Sequence, residues 1–228
     1  MSTSGSTNYS TTRNQIIYDA LLLLNAIAAQ ETADAHNLAF CGRFLDMMIK
    51  QWSPKMTVWP TKDVSITLTP GTTSYTIGEG LDIDEPRPLQ VISARRQDTS
   101  GNEIPIDVVS RDEYMAIPTK TTQAPPTMVH YERLRTSGTL YVWPTGDTGS
   151  PTLILSVKRA LEDMDEDSNE PDFPPEALLA LVYNLAVLVG PAYGGIPQDV
   201  AAVALQLKQE LLDDDTENTP VYFLPRFN

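Results

Sequence analysis

Three aspartates at alternate positions, Asp163, Asp165 and Asp167, come nearer to a known chemistry than any other spacing in the chain. Alternate carboxylates open the twelve-residue calcium loop. Here Ser168 stands where that loop needs its sharp-turn glycine, and Pro174 stands where it needs a bidentate glutamate. The run from Glu162 to Asp172 therefore reads as a solvated acidic hinge whose charge favours the N-terminus of the next helix. No metal and no other cofactor is expected. Nucleophilic catalysis needs a thiol or hydroxyl beside an oriented base. The chain has two histidines and one cysteine: His36 near a helix start, His130 on a strand, and Cys41 on an apolar helix face. His130 alternates with Val129 and Tyr131 as a surface or pore-facing position, and no family signature surrounds Cys41. No catalytic residue is expected, and the chain is read as a non-enzyme. Two alternatives stay open: a cell-wall glycosidase using paired carboxylates, which meet in space rather than in sequence, and a calcium-dependent binding module built on the hinge.

A different kind of chemistry lies at the C-terminus. Pro220, Val221, Tyr222, Phe223, Leu224, Pro225, Arg226 and Phe227 follow directly on an acidic stretch. This run is too short for a domain and too apolar for a solvated tail. Aromatic anchors bracketed by proline, which lowers the entropy lost on ordering, suit insertion into a partner. The other reading is a tail packed on its own bundle.

The balance of charge narrows the partners. A net charge of −14 opposes adhesion to DNA or to anionic lipid. The nearest approach to a basic cluster is Arg95 and Arg96 with Lys158 and Arg159, on predicted strands. No apolar stretch reaches the roughly 18 uninterrupted residues of a membrane span, so no membrane partner is expected. A single cysteine allows no internal disulfide, which fits a reducing cytoplasm or a particle assembled there.

The elements follow from periodicity. Thr12 with Gln15 forms a capping box opening a helix to about residue 30, with Ile16, Ala20, Leu23, Leu24 and Ile27 on one face. A second helix runs from about residue 34 to 51 and ends near Pro54. Between Val58 and Ala160, period-two runs rich in Val, Ile, Tyr and Trp alternate with turn signals such as Ser100-Gly-Asn102, and Arg111–Ile117 fits a short helix. Helical patterning returns after Pro174 and again after Pro197. Trp52, Trp59 and Trp143 read as core or junction packing. The expected fold class is α+β: a helical bundle from residues 12–56 and 161–216, an inserted antiparallel β module over 57–160, a flexible leader over 1–11 and an arm over 217–228.

Several segments, in order, resemble the head-to-tail adaptor (head-completion, tail accessory factor) family of short-tailed bacteriophages. They are Arg43-Phe-Leu-Asp-Met-Met-Ile-Lys-Gln-Trp52, Thr69-Pro-Gly-Thr-Thr-Ser-Tyr75, Arg87-Pro-Leu near Ala94-Arg-Arg96, and Glu103-Ile-Pro-Ile106 with Ser110-Arg-Asp-Glu-Tyr-Met115. Gly138-Thr-Leu-Tyr-Val-Trp-Pro144, Arg159-Ala-Leu-Glu-Asp163 and the stretch from Pro171 to Tyr183 complete the series. The resemblance implies a virion component at the head–tail interface, in a homo-oligomeric ring of about twelve copies with closed symmetry. It implies a portal protein above, a tail nozzle or hub protein below, and DNA passing through the lumen without sequence-specific binding. By position, Pro220 to Phe227 would be the portal-docking arm.

Overall fold

The computed structural model describes residues 5–56, 59–149 and 151–214. The fold is α+β, and the described residues form five α-helices and a seven-stranded mixed sheet. The chain divides into two units: residues 59–160, and the two flanking stretches together.

The flanks form the helical unit from α1 (Arg13–Leu23), α2 (Ala35–Trp52), α4 (Leu178–Val189) and α5 (Gln198–Asp214). Helix α1 begins at a capping box: Gln15 N–H donates to Thr12 Oγ1, and the Gln15 side chain accepts from Thr12 N–H. It stops seven residues before the end that its apolar period suggests. Asn25 takes a left-handed conformation (φ 54°), and the N–H groups of Asn25 and Ala26 fold back onto the carbonyls of Leu22 and Leu21. Asparagine tolerates that conformation, and the paired bonds close the helix end. Ile27 remains buried beyond the cap, which is why the apolar pattern outruns the helix.

Asp34 caps α2 by accepting from Asn37 N–H, and the helix buries Cys41, Leu45, Met48, Ile49 and Trp52. Phe40 and Phe44 are half-buried and pack on one another. Helix α4 packs against α1, α2 and α5, so it is the hub of the unit. The helical run Pro175–Tyr193 is long and apolar enough on average to match a membrane span by length and composition alone. Its Leu178, Leu181 and Leu185 are buried in the bundle, whereas Leu188 is exposed. On α5, Val200, Ala204 and Leu211 are buried, and Val203 is exposed.

The acidic hinge keeps its acidic side chains largely exposed, as a solvated hinge should, but it is docked rather than free. Leu161 and Met164 are each 1% exposed, anchored in the helical unit. The hinge backbone also completes α1: Arg13 N–H donates to the Asn169 carbonyl at 2.8 Å and Asn14 N–H to the Asp167 carbonyl at 3.2 Å. The first-turn amides of a helix lack intrahelical partners. The hinge satisfies two of them in succession, and Thr12 takes the next, Gln15 N–H.

The second unit contains β1 (Thr61–Thr67), β2 (Ser74–Ile77), β3 (Gln90–Gln97), β4 (Glu103–Val108), α3 (Arg111–Met115), β5 (Met128–Arg133), β6 (Gly138–Trp143) and β7 (Thr152–Lys158). The strand order is β1-β7-β3-β4-β5-β6-β2. Every pair is antiparallel except β4–β5, which meet in parallel at Asp107–Met128 and Val108–Val129. The module is therefore mixed, where a wholly antiparallel one was expected. A parallel pair needs a long crossover, and the stretch holding α3 provides it.

Seven flat strands would set the two edges about 29 Å apart at a spacing of about 4.8 Å. Instead Val64 and Ile66 of β1 share one buried cluster with Tyr75 and Ile77 of β2, around Leu140, Val142, Leu153 and Leu155. The sheet curls, and its first and last strands cover the same core.

Candidate functional site

The residues that could carry chemistry are drawn into internal structure. Asp163 accepts from Lys50 Nζ at 2.7 Å, while Asp167 lies 3.4 Å from Arg13 Nη1. Two different helices thus pull the aspartates of the calcium-like spacing. Among the described residues no three His, Cys, Asp or Glu side chains gather as a metal would require.

Cys41 is buried, with its Sγ 3.6 Å from the Tyr193 hydroxyl, which in turn donates to Asn37 Oδ1 at 2.8 Å. Burial pushes both the Cys41 thiol and the Tyr193 phenol above their ordinary values. A reactive thiol needs the reverse shift. His36, close by in sequence, is exposed.

His130 is not on the surface: it is 7% exposed. Helix α3 and the neighbouring strand cover it, with Tyr114 and Tyr141 stacked on its ring at 6.0 and 5.9 Å. Its Nδ1 is 3.0 Å from the Val109 carbonyl, and its Nε2 is buried without a hydrogen-bond partner. The alternation along β5 placed it correctly on one face; only the crossover helix decided that this face is covered.

The sparse cations are also engaged. Arg95 bridges Asp63 and Glu103, Arg96 donates to the Pro126 carbonyl, and Arg111 pairs with Glu132. Asp63 is held below the usual carboxylate range by the Ser156 hydroxyl and then by Arg95. That direction suits a fixed anion rather than a general acid. The indole N–H of Trp143 donates to the Thr119 carbonyl, and Trp52 is 2% exposed, a core residue as expected.

A cleft of about 730 Å³ opens where the curled sheet fails to close. One wall is β1 from Asp63 to Thr67, and the other is the segment Asp82–Glu85 lying along β2. That segment is fixed by exchanges with β2: Ile83 N–H donates to the Thr76 carbonyl, and Gly78 N–H to the Ile83 carbonyl. Asp82 accepts from the Thr76 amide and hydroxyl, which lowers its pKa. The sequence signal for this wall, the alternation Leu81-Asp-Ile-Asp-Glu85 after a glycine turn, went unread because the segment is too short to stand out as a strand. The arm from Pro220 to Phe227 lies outside the described residues.

These features define an α+β chain with a buried helical hub, an incompletely closed sheet, and its cysteine and His130 buried. The chain belongs to the SU10 adaptor protein family, whose model matches residues 11–222. Among solved structures it is similar to a chain from the neck of an empty GTA particle computed with C6 symmetry. That likeness has 11% identity and a TM-score of 0.27, and covers 96% of this chain and 98% of that one. No curated protein matches it.

Proposed function

We propose that the protein is a structural head-to-tail adaptor of a short-tailed phage. Identical copies, about twelve in a closed ring, sit beneath the portal protein, lengthen the DNA channel and offer a docking surface to the tail nozzle. The observation that carries this reading is the adaptor-family match across residues 11–222. The chain is assembled in the host cytoplasm and works in the virion.

Two physical features support the role. A ring built from one chain needs two different faces on each copy, and two units of unlike architecture supply them. A net charge of −14 suits a conduit, since repulsion of phosphates lets a duplex slide rather than adhere. The arm Pro220–Phe227 is the segment we place against the portal: its aromatics are anchors, and its prolines reduce the cost of ordering.

The test is deletion of Pro220–Asn228. Particles carrying the shortened chain fill with DNA, fail to retain the adaptor and leak, as measured by adaptor content and encapsidated DNA. Normal retention with a destabilised isolated chain would instead mean that the arm covers its own subunit. Imaging the neck decides the ring: an asymmetric or absent density for this chain overturns it.

A further inference from the structure

The two walls of the cleft in the β unit have a property that side-chain pockets lack. Neighbouring residues of a strand point to opposite faces of the sheet. A hollow on one face is therefore lined by every second residue of a strand. Here five consecutive residues, Asp63 to Thr67, line the cleft on one side, and four consecutive residues, Asp82 to Glu85, line it on the other. The cleft runs along backbone edges.

Strand β1 is terminal in the sheet, paired only with β7 among the described residues. Its inward residues Val64 and Ile66 already lie in the shared core. Lys62 reaches across one end to Glu85, with its Nζ at 2.8 and 2.7 Å from the two carboxylate oxygens. One absent strand would leave a gap of about 9.6 Å, two strand spacings, and a lysine–glutamate pair can bridge such a gap. Among the described residues no strand pairing closes the sheet between β1 and β2.

The charge of the cleft states what would complete it. Asp63, Asp82, Asp84 and Glu85 line it, and the nearby cations Lys62 and Arg95 are already spent on Glu85 and on Asp63 with Glu103. Among the described residues Asp82 accepts from Thr76 and Asp84 from Gly80 N–H, and neither is paired with a cation.

We propose that this cleft receives an extended segment of another protein, one bearing lysine or arginine beside apolar residues, as an added strand against β1. Main-chain hydrogen bonds to the β1 edge would supply affinity, and the carboxylates of Asp82 and Asp84 would select the basic side chains. The inference rests on the adaptor reading for where such a segment is met, but not for whether the cleft takes one.

Two arms test it. With the isolated full chain, an extended heptapeptide alternating lysine with valine and threonine is compared with its glutamate counterpart, by hydrogen exchange. The lysine peptide slows exchange of the 63–67 amides and binds at least tenfold more tightly than the glutamate peptide. Asp84→Lys abolishes the difference while leaving the melting temperature within a few degrees. Equal binding of the two peptides, no binding, or protection elsewhere overturns the inference.

In purified particles, the same amides are protected relative to the free chain. A zero-length carboxylate–amine crosslinker joins Asp82 or Asp84 to a lysine of a different protein. Unprotected amides in particles that do contain the chain, or crosslinks only between copies of it, overturn the inference. Particles that lack the chain would sink the adaptor reading instead, leaving the peptide arm to decide the cleft.

Discussion

Arg13 shows how one side chain ties distant segments together. Its side chain is only 11% exposed, with Asp46 of α2 at 3.6 Å and Asp167 of the hinge at 3.4 Å. The guanidinium occupies the space over Gly42, where an added Cβ would collide with it. Burial pushes the Asp46 carboxyl above its usual value, and Arg13 opposes that shift. Arg13→Ala should therefore cost about 1–3 kcal/mol, the range for leaving a buried polar group without its partner, read from chemical denaturation. Gly42→Ala ought to change sign with context. Alanine is favoured over glycine within a helix by about 1 kcal/mol, but only an absent guanidinium leaves room for the methyl. Gly42→Ala should thus stabilise the Arg13→Ala background and give no such gain in the parent. Equal effects in both backgrounds would mean that Arg13 does not sit on Gly42.

At the scale of elements, short helices are held by their caps rather than by length. Helix α3 has five residues and a complete capping box, with Ser110 accepting from Glu113 N–H and Glu113 accepting from Ser110 N–H. It carries Tyr114, 2% exposed, onto His130. Removing both caps, Ser110→Ala with Glu113→Ala, should cost about 1 kcal/mol per cap and uncover His130. Histidine acylation measures this, since the only other histidine, His36, is exposed in every variant. The double variant should gain a second reactive histidine. A parent chain that already modifies both at one rate would contradict the burial. Caps were also the most legible sequence features: Thr12 with Gln15 could be read from spacing alone. The Asn25 terminator was equally local, but the apolar period running on to Ile27 masked it.

For the whole molecule, the β unit is one continuous stretch, 59–160, with its own buried cluster. Expressed alone, it should fold, giving dispersed amide resonances and a cooperative melt. Residues 1–58 alone should not, because α1 and α2 bury Ile16, Leu45 and Trp52 in a bundle whose hub is α4, more than a hundred residues away in the chain. A fragment 59–160 that stays unfolded would show that the unit depends on its flanks.

Read alone, the chain disclosed the α+β class, the positions of the strands and the polarity of most helix faces. Those depend on periods of 2 and 3.6 residues, on caps and on turn residues, all encoded within about a dozen positions. The resemblance to an adaptor family was likewise carried by short motifs such as Gly138-Thr-Leu-Tyr-Val-Trp-Pro144. Tertiary structure alone decided the parallel β4–β5 pairing, the burial of His130, the docking of the acidic hinge on α1 and the cleft between the sheet's edges. Each arises from which distant segments meet. Local propensity states how a segment prefers to lie, but only long-range packing selects its neighbour.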